Sequence, residues 1–194
     1  MDNDKKGKKG WQHWIHLLVK VEKWDKAIAF MQEVIRQNPD DVDVYLLMEY
    51  LLMNLLVEED YDRSKRNFYW GLALDYVDEG YERFSEHHEF LYYTGWIGCK
   101  SEWYFGLEYE EAEEMIAKAL QLDPDNIIYK RQLYMSVDKK SSSHLIQQSV
   151  SYAQNVLADA SHIKKMLEPK GALGEYTWMI TSNWSQRIIK ELGA

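Results

Sequence analysis

Two stretches of this chain, residues 11–39 and 96–124, can be laid over each other at one constant offset of 85 residues. Trp11 falls on Trp96, Leu18 on Trp103, Trp24 on Tyr109 and Ala27 on Ala112. Val34 falls on Ala119, Gln37 on Leu122 and Pro39 on Pro124. An aromatic residue opens each stretch, a small Ala sits where a neighbouring helix must pass closely, and a proline closes the unit. One helix of a hairpin cannot bury its apolar face alone, so a chain that repeats such a hairpin gains stability by pairing and stacking.

The apolar spacing along the chain is helical throughout. Trp11, Trp14, Ile15, Leu18 and Val19 form one stripe; Trp24, Ala27, Ile28, Met31, Val34 and Ile35 form the next. Pro39 then stops the second helix, because it lacks a donor and pushes Asn38 out of helical geometry. Asp40 or Asp41 is placed to cap the third helix. Residues 42–57 are apolar nearly all round, the pattern of a helix covered on several sides. A helix over about 64–84 is predicted to turn Phe68, Leu72, Tyr76 or Val77, and Phe84 inward. A junction at 85–89 leads to helices over 90–105 and 108–122, then a short helix over 126–137. A linker at 138–143, a long helix over 145–167 and a last helix over 173–192 complete the chain. No segment reads as a strand.

The two matched stretches resemble tetratricopeptide repeats, whose 34-residue units carry this framework of aromatic, Ala and Pro positions. "YEEAEEMIAKALQLDPDN" (109–126) is close to the family's second-helix pattern, and "WDKAIAFMQEVIRQNPDD" (24–41) is a good second match. An offset of 85 departs from two periods of 34 by half a repeat, so the middle unit is extended. The resemblance implies an all-α, TPR-like α-α hairpin superhelix, an α-solenoid of about nine helices with C-terminal capping helices. The corresponding organisation is a disordered tail over 1–9 and a single domain over 10–194. Its units would be 10–40, 41–87 (extended), 90–125 and 126–167, with a capping helix at 172–192. The framework positions are Trp11, Trp24, Ala27, Pro39, Trp96, Tyr109, Ala112, Ala119 and Pro124.

The resemblance also implies a concave groove lined by first helices, which holds a peptide or another protein. Some relatives clamp an acidic C-terminal tail there with Lys, Asn and Arg. The matching positions here, Gln12, His16, Thr94, Ile97, Ser101 and Tyr104, are polar or aromatic rather than basic, which argues against a tail adaptor. Tyr93 and Tyr104 are the aromatic groove candidates.

Charge adds a direction. Residues 40–126 carry 6 basic and 22 acidic side chains, whereas 1–39 carry 8 and 5 and 127–194 carry 9 and 5. So acidic a middle repels nucleic acid and steers a basic partner inward. The competing explanation is that Glu and Asp solvate outer helix faces, and Glu110, Glu111 and Glu114 fit both. A single cysteine, Cys99, excludes an internal disulfide. The hydrophilic start carries no signal-peptide pattern, and the 16-residue apolar run at 42–57 falls short of the roughly 20 residues of a membrane span. These features lead us to expect a cytoplasmic protein.

No glycine-rich phosphate loop, nucleophile elbow or paired metal-binding histidine motif occurs, and no cofactor is expected. Ser143-His144 and Ser161-His162 are sequence neighbours, the wrong geometry for a nucleophile and its base. His13/His16 or His87/His88 would be the starting points of a metal-dependent enzyme, and neither pair has a third ligand placed by sequence. The leading expectation is a non-catalytic module that binds one protein partner. In its sharpest form this is a small bacterial immunity-type protein that neutralises a basic toxin or effector domain. The alternative is a secretion chaperone or adaptor that holds an extended segment.

Overall fold

The computed structural model describes residues 4–58 and 62–193, with side chains for all of these except 4–9, 58 and 102. Among them the protein is all-α, without a strand. It forms two compact units, Met1–Leu122 and Asp123–Ala194.

In the first unit, α1 (Asp4–Lys20) and α2 (Trp24–Gln37) form a hairpin. Helix α1 begins at Asp4, inside the stretch expected as a disordered tail, of which residues 1–3 lie outside the described residues. Glu22, in the tight turn between the two helices, has φ 57°, the left-handed region that side chains other than Gly enter at a cost. Helix α2 buries the predicted stripe from Trp24 to Ile35. It stops before Pro39, and the Asn38 side-chain Nδ2 donates to the Val34 carbonyl at 2.9 Å. Asp41 caps α3 (Val42–Met53) by accepting from the Asp43 amide at 3.2 Å.

Helix α3 is the axis of the unit. Every residue from Val44 to Met53 is buried, which its all-round apolar sequence requires. It packs against α2, α4 and α5 and runs into a π-helical turn at Asn54–Glu58. A 3-10 turn (Arg63–Lys65) leads into α4 (Arg66–Phe84). The inward face of α4 is Tyr69, Ala73, Val77 and Gly80, so the predicted register is off by one at Phe68, which is 58% exposed. Gly80 is the reason. A Cβ there would sit 2.6 Å from the Phe90 ring, so this face lets α4 approach α5 more closely than any side chain would allow.

Helices α5 (His88–Phe105) and α6 (Tyr109–Leu122) form the tightest hairpin. A Cβ at Gly95 would lie 2.6 Å from the Ala112 carbonyl, and one at Gly98 would lie 3.1 Å from the Ala112 Cβ. Ala112 is therefore a point of close helix approach, as the repeat predicts. The framework is not equivalent throughout, however: Trp24 is 8% exposed and its counterpart Tyr109 is 44% exposed. Trp96 is buried, and Trp11 is half-buried.

In the second unit the expected helix over 126–137 is only a 3-10 segment, Tyr129–Tyr134. The region buries Ile128, Tyr129, Arg131 and Val137, and the adjacent pair Ile128 and Tyr129 together with Val137 do not fall on one α-helical stripe. The expected long helix is two, α7 (Ser143–Ala158) and α8 (Ala160–Leu167), broken at Asp159. The buried stripe runs on across that break through Val156, Ile163 and Leu167. Helix α9 (Gly171–Leu192) pairs with α7, and at Gly174 it meets the Leu167 carbonyl too closely for a side chain.

Candidate functional site

Three of the expected groove residues line no groove. Tyr93, Ile97 and Ser101 are buried. Helix α5 packs on α3 and α6 together, so the face expected to be open is filled by the neighbouring helices. Ser101 has non-helical φ/ψ of −148° and 37°, and its hydroxyl donates to the Ile97 carbonyl at 2.8 Å. Thr94 is also buried, and its hydroxyl donates to the Glu49 carboxylate at 2.7 Å. On α1, Gln12 is half-buried and His16 is exposed.

What the fold does bring together is the C-terminal end of α5, the N-terminal ends of α4 and α6, and the turn that joins α5 to α6. Arg66 Nη2 donates to the Tyr104 hydroxyl at 3.0 Å, and its guanidinium carbon lies 5.4 Å from the centre of that ring. Trp70 meets Tyr104 edge-on at 6.5 Å. Trp103, on the adjacent position of α5, is 80% exposed. Gly106 turns the chain in the left-handed conformation (φ 66°), against a Leu74 methyl 2.8 Å from where a Cβ would be. Tyr109 then opens α6, followed by exposed Glu110, Glu111, Glu113 and Glu114. One hairpin tip thus carries both aromatic rings and carboxylates.

The four glutamates do not play one role. Glu111 Oε2 accepts from the Glu108 amide at 3.0 Å, which is the return half of a capping box and stabilises the start of α6. Glu113 accepts the Tyr109 hydroxyl, whose pKa is raised by that bond. Glu110 and Glu114 face solvent. Arg66 and Trp70, missed from sequence, lie in the extended middle unit where repeat matching is weak. An Arg and a Trp four residues apart on a helix was the signal that could have found them.

A second depression of about 400 Å³ lies at the start of α2, lined by Glu22, Lys23, Trp24, Asp25, Leu55, Lys65 and others. The Lys65 ammonium bridges to Asp25 there at 2.6 Å. In the second unit, a polar cleft of about 390 Å³ is lined by Tyr134, His144, Gln147, Gln148, Ser151, Tyr152 and Asn155. No Asp, Glu, Lys or Arg is among them. The rings of Tyr134 and Tyr152 pack 5.2 Å apart, and Tyr152 donates to the Ile127 carbonyl at 2.5 Å.

The His87 and His88 rings stack at 5.3 Å, within 10° of parallel. Imidazole lone pairs lie in the ring plane, so rings stacked in this way do not converge on one ion. Among the described residues, no group of three or more His, Cys, Asp and Glu is arranged to hold a metal ion, and no helix is long and apolar enough to cross a membrane. No protein-family model matches the chain, and no curated protein matches it.

Proposed function

We infer that this protein is a non-catalytic binding module of TPR-like helical hairpins that engages one protein partner. The observation that carries this reading is the α5–α6 tip. Trp103 stands 80% exposed next to Tyr104 in the chain, Tyr104 contacts Trp70 and Arg66, and exposed Glu110 and Glu114 lie in the first turns of α6 that follow. Trp, Tyr and Arg are the residue types that dominate binding energy at protein interfaces. Carboxylates beside them favour a basic partner and speed its approach. The sharper form is an immunity-type protein that neutralises a basic toxin or effector domain in the cytoplasm.

The test is co-purification with the product of the neighbouring gene, followed by association rates at about 50 and about 500 mM salt, where screening differs strongly. Association should slow sharply in the higher salt, and Trp103→Ala should raise the Kd by about tenfold or more. A salt-independent rate together with an unchanged Kd for the Trp103 variant would sink the reading.

The amide-rich cleft of the second unit favours a second reading, a chaperone or adaptor for an extended segment. Amide side chains such as Gln148 and Asn155 both donate and accept, as a peptide backbone does. A scan of overlapping peptides from the partner separates the two: a chaperone binds a linear segment, and a neutraliser requires the folded domain.

A further inference from the structure

Glu49 is completely buried in the middle of α3. Its Oε2 accepts from Thr94 on α5 at 2.7 Å, and its Oε1 meets no hydrogen-bond partner. Among the described residues no cation answers it. Across α4, Arg83 is engaged with Glu79 and Asp40, and Glu79 also accepts from Tyr45, one turn before Glu49 on α3. Tyr76 on α4 and His87 at the start of α5 pack against Tyr45 and Phe84 respectively, and Tyr50 of α3, Tyr69 of α4 and Tyr92 and Tyr93 of α5 are further titratable side chains buried on these helices. The buried face of α2 is wholly apolar. An ion in this position costs several kcal/mol, whereas the protonated acid keeps the Thr94 bond and sheds the charge.

Helix α4 closes over this carboxyl through Gly80. A Cβ there would lie 3.6 Å from Glu49 Oε1 and 2.6 Å from the Phe90 ring. Of the three helices around Glu49, α4 is held least. It buries Tyr69, Ala73, Val77 and Gly80, whereas α3 is buried throughout Val44–Met53 and α5 throughout 90–98. A helix with so narrow a buried stripe is the element that opens at least cost.

We propose that Glu49 is a proton-controlled latch: with the proton on, α4 stays closed on α3 and α5, and with the proton lost, α4 opens to let water reach the carboxylate. Because α4 carries Arg66 and Trp70, the latch couples the hairpin-tip surface to proton activity, a consequence that rests on the binding reading above. The carboxyl has an ordinary pKa of 4.5 when opened to water, and burial raises it to about 8 in the closed core. Between those values the opened state binds fewer protons, so opening gains about tenfold per pH unit and levels off above the higher one.

Hydrogen–deuterium exchange of the whole protein, alone, from about pH 5 to 9.5 tests this. Protection of the α4 amides, corrected for the pH dependence of chemical exchange, should fall by up to about tenfold per pH unit and level off above about pH 8. The α6 amides should show no such fall, and Glu49→Gln should abolish it in α4. Flat α4 protection in the native sequence, an equal fall in α6, or an unaltered fall in the Gln variant would each overturn the latch. Should Glu49→Gln not fold, Thr94→Val serves instead. Thr94 favours the charged form, so its loss should carry the decline to higher pH, and an unmoved profile overturns the proposal. No partner is needed, so failure here and failure to bind are separate results.

Discussion

At the scale of single residues, the glycines show how sharply one position can differ from another of the same type. Gly95 and Gly71 both lie inside helices. A Cβ at Gly95 meets the Ala112 carbonyl at 2.6 Å, with Met115 and Ile116 at 3.1 Å, whereas one at Gly71 meets nothing within 4 Å. Gly95→Ala should therefore destabilise the protein by about 1–3 kcal/mol through overpacking. Gly71→Ala should stabilise it by about 0.5–1 kcal/mol through the greater helix preference of Ala. Urea unfolding of the two variants against the parent gives both signs in one experiment. Residue type at fixed spacing was enough to identify Ala27, Ala112 and Ala119 as packing positions, because all three are fully buried. It was not enough for Tyr93, Ile97 and Ser101. Their exposure depends on what lies across from α5, and that is set by the course of α3 and α6 rather than by their own neighbours in sequence.

At the scale of elements, the helices with one clean stripe were legible, and those with competing stripes were not. Helix α2 has a single apolar face, and its bounds and buried residues match its spacing. Helix α4 offers aromatics on several faces, and the choice among them fell to Gly80, a residue with no side chain to register in an apolar pattern. Asp159 breaks what spacing alone joins, because the apolar stripe continues on both sides of it. Helix starts were marked where a side-chain cap exists. Asp41→Ala removes the cap of α3 and should cost about 1 kcal/mol, read as a lower urea midpoint without a change in slope. Ser142→Ala, which removes the acceptor for the Leu145 amide at the start of α7, should cost a similar amount.

At the scale of the whole molecule, charge and compactness divide at nearly the same place. Residues 1–122 carry 14 basic and 25 acidic side chains, and 123–194 carry 9 and 7, so the first unit holds the entire negative excess. Charge reversal at Glu110 and Glu114 together should slow association with a basic partner by about tenfold in low salt, with the difference shrinking as salt screens it. Reversal at Lys139 and Lys140, which adds negative charge, should not slow that rate. Stopped-flow mixing over a salt series distinguishes the two pairs. The eight tryptophans are spread through both units, and they divide between water and core. Trp24, Trp96 and Trp184 are nearly sealed, while Trp103 is the most exposed of the large apolar side chains among the described residues. An indole so open to solvent emits toward the red and is the first to be reached by a dissolved quencher. Its glow, read against a Trp103→Phe variant because Trp14 is also 60% exposed, is thus a native optical gauge of the hairpin tip, dimmed by acrylamide when the tip is bare and spared when another surface covers it.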